Sequence, residues 1–294
     1  MDGTIEKFVI YLHDVKKTSK NTEVSYERDL RKAAAYFREQ GIEDVGEISE
    51  TNLNSYMLYL ERENFAPSTV SRSVAAMRMF FQYLVKEKRI AEDPSEHLHP
   101  PKVEKKMPEI LTVEEVDLLL RQPDAKSAKG LRDRAMLELL YATGIRVSEL
   151  IHLRSSDLHL QMGYITCTDE GHERIIPFGT AAKRALEAYF KGAREQLCPG
   201  GSCHYLFTNC SGSVMSRQGF WKVLKGYAKS AGITKDITPH TLRHSFAAHM
   251  IQNGADLRSV QEMMGHADIA TTQMYLNLEL YKMKDTYAKA HPRK

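Results

Sequence analysis

Five residues far apart along the chain carry side chains that could act on a single phosphodiester: Arg146, His240, Arg243, His266 and Tyr275. A guanidinium fork binds two phosphate oxygens at once, and two forks can spread charge over a pentacoordinate phosphorus. A tyrosine hydroxyl, with an unperturbed pKa of about 10, is a weak nucleophile that needs a base and a cationic field to attack. Histidine titrates close to neutral pH and supplies acid–base help. Attack by the phenol would leave a phosphotyrosyl link that keeps the energy of the broken phosphodiester, so rejoining needs no ATP. The chemistry requires no metal and no other cofactor.

Each residue also has a plain alternative. A His-x-x-Arg pair is common by chance. Arg146 could pair with Glu149 at a helix start, His266 could be a loop residue, and Tyr275 could be a half-buried core tyrosine. His244 and His249 read as structural. The order and spacing of the five give the set its weight.

The elements that must position them can be read from their end signals. Thr238 is an N-cap and Pro239 fits the first helical position. His240 and Arg243, three apart, share a face of that helix, with Leu242, Phe246 and Met250 on the apolar side and Gly254 at its end. The polar pair is therefore expected to point away from the core at a positive helix N-terminus, where an anion is welcome. Asp256 caps a short helix that Gly265 stops, and His266 follows at once. Asp268 caps the next helix, which carries Tyr275. Arg146 sits just past a Gly144 helix stop, where a side chain can reach out from a turn.

The rest of the chain supplies the frame. Four amphipathic helices are expected in the first hundred residues, the second stopped by Gly41 and the fourth capped by Ser68. The fourth carries Arg72 and Arg78, which read either as part of a solvated face or as contacts to DNA phosphates and base edges. Pro94, Pro100, Pro101 and Pro108, with the basic cluster Lys102, Lys105 and Lys106, mark a linker. A helical DNA-binding domain over 1–92, a linker over 93–108 and a second domain over 109–294 follow. Thr112 and Glu115 form the capping box of that domain's first helix. The alternation in "GYITCTDEGHERIIPF" predicts a hairpin with strands Tyr164–Thr168 and Arg174–Phe178. The fold class is thus mainly α with a small β insert.

Composition narrows the function classes. Of 294 residues, 42% are hydrophobic and 27% charged, as in a folded soluble protein. A net charge of +3 neither demands nor excludes a polyanionic partner. The opening residues lack a signal-peptide pattern and no apolar run is long enough for a membrane span, so a cytoplasmic location without a membrane partner is expected. Reduced thiols are expected there. Cys198, Cys203 and Cys210 lack the paired spacing of a zinc site and read as a Gly/Pro-rich loop leading into a strand.

Three stretches, "ATGIRVSEL", "HTLRHSFAAHMIQNGADLRSVQEMMGHADIATTQMY" and "KAHPRK", give the chain a resemblance to the tyrosine recombinases of the phage integrase family, and within it to the Xer recombinases. The resemblance covers nearly the whole chain. It implies a two-domain fold, with a helical SAM-like core-binding domain and an α-rich catalytic domain. It implies that Arg146 and Arg243 hold the scissile phosphate, that His240 assists proton transfer, that His266 hydrogen-bonds the phosphate and that Tyr275 attacks to give a 3′-phosphotyrosyl link. The implied partners are double-stranded DNA at a dif-like site, three further protomers of this chain or a sister recombinase in a tetramer, and a septal DNA translocase. The implied role is resolution of chromosome or plasmid dimers, and the residues near 279–294 would dock on a neighbouring protomer.

One departure from the family stands out. Its members carry a lysine in the hairpin turn, as general acid for the leaving 5′-hydroxyl. Here the turn reads "TDEGHER", Glu170 falls at the lysine position, and no lysine lies between Arg146 and Lys183. General acid catalysis is worth roughly 10²–10⁴-fold. His172 could stand in for the lysine, while Arg174 is read as serving DNA phosphate or folding. Two further readings therefore stay open: a silent DNA-binding relative, and an enzyme like the type IB topoisomerases.

Overall fold

The computed structural model describes residues 1–102, 108–169, 172–199, 203–266, 268–269, 271–276, 287 and 290. The chain divides into two compact units, Met1–Lys105 and Lys106–Lys294.

The first unit is built from helices α1 (Asp2–Asp14), α2 (Lys20–Glu39), α3 (Glu50–Arg62) and α4 (Pro67–Lys86). Ser19 and Ser49 accept hydrogen bonds from the first-turn amides of α2 and α3, which satisfies donors that a helix start leaves free. The apolar stripe of each helix meets the others in one core that includes Phe8, Leu12, Leu30, Phe37, Leu53, Tyr56, Phe81 and Leu84. Each such side chain contributes about 1.5–3 kcal/mol when fully buried. The start of α4 differs from the expectation of a Ser68 cap. The N-cap is Ala66 and Pro67 takes the first helical position, with no side-chain cap. The fixed φ of proline already suits that position, so the helix begins before Ser68. Leu98, within the segment expected to be linker, is buried in this core.

The second unit opens on α5 (Val113–Leu120), whose start carries the Thr112–Glu115 capping box. Its central helix, α6 (Ala128–Thr143), is buried along nearly its whole length and ends at Gly144 in the left-handed conformation. α7 (Val147–His152) follows at once. A three-stranded antiparallel sheet comes next, in order β1 (Leu158–His159), β2 (Tyr164–Asp169) and β3 (His172–Pro177). The hairpin is in the register Ile165↔Ile176 and Cys167↔Arg174. Two-residue β1 has no periodicity to announce it and went unpredicted. Helices α8 (Thr180–Gly192), α9 (Arg194–Leu197), α10 (Arg217–Ser230), α11 (Pro239–Gln252) and α12 (Leu257–Met264) complete the named elements, and residues 271–276 are helical.

The main core of this unit includes Leu137, Leu140, Ile165, Ile176, Leu186, Phe207, Phe220 and Leu242. A smaller cluster of Phe246, Ala247, Val260, Met264 and Tyr275 ties α11, α12 and the 271–276 segment together. Cys198 and Cys203 are disulfide-bonded, and Cys210 is a free, exposed thiol. That corrects the expectation that all four cysteines are reduced. The two bonded residues are five positions apart with Cα atoms 6.0 Å from each other, a distance a disulfide spans. Among the described residues no helix is long and apolar enough to cross a membrane.

Candidate active site

Arg146 is placed by the end of one helix and the start of the next. Gly144 takes a φ of 62°, which reverses the chain after α6. Arg146 is then the N-cap of α7, and its amide donates to Glu149 Oε2 at 2.6 Å. Its guanidinium donates from Nη1 to Glu149 Oε1 at 3.0 Å and from Nη2 to the Gly265 carbonyl at 2.6 Å. Arg174, on β3, donates from Nη2 to the same Glu149 Oε1 at 2.8 Å. Glu149 therefore holds two guanidiniums, one from a helix start and one from the sheet.

Arg243 lies on α11 and is only 5% exposed. Its Nη1 donates to the Gly144 carbonyl at 2.5 Å and its Nη2 to the Met264 carbonyl at 2.6 Å. His240 is exposed as expected, but Arg243 does not point away from the core with it. The charge turns inward because two backbone carbonyls are there to receive it. Arg146 and Arg243 thus grip the consecutive carbonyls of Gly265 and Met264. Desolvation first, then the Arg146 cation, push the Arg243 pKa down to about 10.

The loop they grip carries His266. Gly265 has a φ of 62°, and a Cβ built on it would lie 1.9 Å from Arg174 Nη1. Only glycine lets the guanidinium pass so close. His266 Nδ1 meets Thr272 Oγ1 at 2.9 Å. Burial, followed by the Arg243 and Arg146 cations, lowers the His266 pKa to about 4. His240 stays open to solvent at the start of α11. Its pKa is lowered by partial desolvation and then by Arg243, Arg217 and Arg146.

Tyr275 is 1% exposed, and its hydroxyl lies 2.6 Å from His244 Nδ1. Burial pushes the phenol up to about 12, against the opposing pull of Arg243. His244 is pushed down to about 4 by burial and then by His240 and Arg243. The five candidates therefore share one neighbourhood, with neutral imidazoles, two cations and a protonated phenol. A cavity of about 320 Å³ opens onto it, lined by Arg146, Arg217, Trp221, His240 and Arg243 among others. A second, of about 670 Å³, is lined by Arg174, Arg258, Gly265 and His266 among others.

The other candidates fall elsewhere. Arg72 is in the first unit and forks onto the buried carboxylate of Asp29, with bonds of 2.8 and 3.0 Å. Arg78 is partly exposed and Lys102 exposed, both in that unit. Lys105, Lys106, Glu170 and the segment 279–286 lie outside the described residues, as do 291–294. His172 opens β3, where its backbone pairs with Asp169.

Sequence reasoning missed His244, Arg217 and Trp221 as parts of this neighbourhood. Ser216, the N-cap of α10, was the available signal for Arg217 at a helix start. His244 gave none beyond its place next to Arg243.

Comparison with known proteins follows the same lines. The phage integrase family matches residues 109–280, and the phage integrase N-terminal SAM-like domain matches residues 5–88. The chain is 45% identical over 295 residues to a tyrosine recombinase XerD from Halalkalibacterium halodurans, covering 100% of this chain and 99% of the relative. It is 44% identical over 296 residues to a tyrosine recombinase XerD from Listeria innocua, with 100% of both chains covered. Among solved structures, the XerH site-specific recombinase bound to palindromic difH substrate in a post-cleavage complex matches with a TM-score of 0.78. That match covers 98% of this chain and 84% of the other at 21% identity, so it speaks to the fold.

Proposed function

The chain belongs to the phage integrase family, among its Xer-type tyrosine recombinases, and is a site-specific DNA recombinase; on that premise we propose the following division of labour and biological setting. Tyr275 Oη attacks the scissile phosphorus, the bond from phosphorus to the 5′-oxygen breaks, and a 3′-phosphotyrosyl link forms. With help from His240 the phenol proton passes to solvent, and one proton from solvent goes to the departing 5′-oxygen, so protons balance over the step. The reverse steps, with a 5′-hydroxyl from another strand, rejoin the DNA. Arg146 and Arg243 hold the non-bridging oxygens, and His266 hydrogen-bonds one of them.

The observation that carries this reading is the grip of Arg146 and Arg243 on neighbouring carbonyls, Gly265 and Met264, beside Tyr275. Neutral carbonyls are weaker partners for a guanidinium than a phosphate anion is. An entering phosphodiester therefore competes well for both forks and relieves the repulsion between them.

The substrate is a dif-like site, at which chromosome or plasmid dimers are resolved in the cytoplasm. Four protomers, of this chain or of this chain and a sister recombinase, work on two duplexes. A septal DNA translocase activates the reaction, which ties it to chromosome partition and cell division. Arg78, Lys102, Lys105 and Lys106 supply phosphate contacts, while Arg72 is committed to Asp29.

A nicked suicide duplex carrying a dif-like site tests the reading. A covalent protein–DNA band is expected from the native chain and none from Tyr275→Phe. A band that survives this substitution removes Tyr275 from the scheme. Binding without any band, even at long times, identifies a silent relative instead. Binding should weaken steeply with salt, since each phosphate contact releases a counterion.

A further inference from the structure

The reaction scheme leaves one close contact of the nucleophile unused. His244 Nδ1 lies 2.6 Å from the Tyr275 hydroxyl, with ring centroids 5.8 Å apart. The phenol ring packs in a cluster with apolar side chains, Phe246, Val260 and Met264 among them. A buried phenolic O–H needs a partner, and this imidazole supplies it. His240 lies one turn earlier on α11, its ring centroid 6.3 Å from that of His244. Both members of the pair are held neutral, the phenol pushed up to about 12 and the imidazole down to about 4, so the phenol keeps its proton and the imidazole offers a lone pair.

Resting on the assignment of Tyr275 as nucleophile, we propose that His244 is its positioning residue: Nδ1 accepts the phenolic hydrogen bond and fixes the oxygen beside Arg243 in one orientation for attack. The physical need is plain. A tyrosine hydroxyl sits at the end of a long lever, and a small rotation at the ring carries the oxygen away from the line of attack. A misplacement of 1 Å is enough to lose about 10²-fold in rate. The hydrogen bond removes that freedom before DNA arrives. His244 does so from the residue next to Arg243, so one turn of α11 orients both the phosphate clamp and the nucleophile.

The test uses the full-length chain and a nicked suicide duplex whose sequence is the tightest binder recovered from a random pool. The single-turnover rate of covalent band formation is measured at saturating protein, and DNA affinity separately by fluorescence anisotropy. Asparagine places its Oδ1 where the imidazole has Nδ1, whereas glutamine carries its amide one bond further out. His244→Phe and His244→Gln are expected to slow the covalent step about 10–100-fold with affinity changed by less than about twofold, and His244→Asn to stay within about threefold of the native rate. A native or faster rate in His244→Phe overturns the proposal. Equal losses in the asparagine and glutamine variants also overturn it, because packing alone would then explain the contact. Should the phenylalanine variant fail to fold, by the fluorescence of Trp221, the amide pair still decides. Tyr275→Phe runs alongside: a band surviving there faults the nucleophile assignment, while a band lost there with a native rate in His244→Phe faults only the role of His244.

Discussion

Gly144→Ala tests how tightly the helix stop is coupled to the proposed phosphate clamp of Arg146 and Arg243. Gly144 ends α6 at a φ of 62°, a region that costs an alanine about 1 kcal/mol relative to glycine. The new Cβ would lie 2.2 Å from Phe246 Cδ1 and 2.6 Å from Cε1. Phe246 is 5% exposed in the cluster that also holds Tyr275, so the ring has little room to retreat. Overpacking of this kind costs about 1–3 kcal/mol. The second unit should therefore lose about 2–4 kcal/mol, read by denaturant unfolding followed at Trp221, the single tryptophan of the chain. Function should fall as well, because the Gly144 carbonyl accepts from Arg243 and moves with the turn. Covalent complex formation is expected to drop about 10-fold or more. Phe246→Ala removes the obstructing ring, so the double variant should be more stable than the two single losses predict, by about 1–2 kcal/mol. A single variant within about 0.5 kcal/mol of the native chain, or strict additivity in the double, refutes the reasoning.

Glu149→Gln leaves Arg146 and Arg174 without their shared carboxylate. The second unit is expected to lose about 2–4 kcal/mol in denaturant unfolding and to cleave more slowly, and unchanged stability counts against the shared role. His244 and His266, both with pKa values lowered to about 4, are neutral in the folded chain but charge in the unfolded one below about pH 6.5. The unfolded state then binds more protons, so stability is full above that pH and falls as pH drops towards 4, by up to about 3 kcal/mol per histidine. His266→Gln should flatten the curve between pH 7 and 4.5, and parallel curves for variant and native chains would show that His266 is not the group responsible. Glu170→Lys should speed cleavage of an ordinary duplex by about 10-fold or more. The gain should vanish on a duplex with sulfur at the bridging 5′ position, whose leaving group needs no proton; an equal gain on both places the lysine's effect in binding.

The helices were legible because their signals are local. Thr112 with Glu115, Thr238 with Pro239, Asp256 with Gly265, and Gly144 all lie within a turn of the boundary they mark. The five candidate residues were picked by order and spacing for side chains that suit a phosphate, and the structure brings them into one neighbourhood. Their surroundings were not legible. The direction of Arg243 depends on the carbonyls of Gly144 and Met264, 99 and 21 positions away, and no periodicity on α11 registers them. The partner of Tyr275 is 31 positions distant, so His244 read as structural. The role of Arg174 hinged on Glu149 and on a glycine at 265 whose missing Cβ leaves it space.

The buried clamp sets stability against function, and the direction of the imbalance can be worked out. Holding Arg243 charged at a pKa of about 10 costs about 3 kcal/mol relative to an arginine in water. Desolvation is the larger cause and the Arg146 cation the next, so the cost belongs to the pair of arginines rather than to either alone. Two carbonyls offset part of it with charge-assisted hydrogen bonds of about 1.5–3 kcal/mol each. A chain selected only for folding would do better with an apolar residue there, since neutral replacements of buried ions are often stabilising. The free energy left over is recovered when an anion takes the place of the carbonyls. By linkage, that anion raises the pKa values of Arg243, His244 and His266 together, and it stabilises the second unit in proportion to its own affinity. The same displacement frees the carbonyls of Met264 and Gly265, which lie directly before His266. In the proposed scheme phosphate binding would act on the backbone just before His266 through these two hydrogen bonds, with no longer pathway needed.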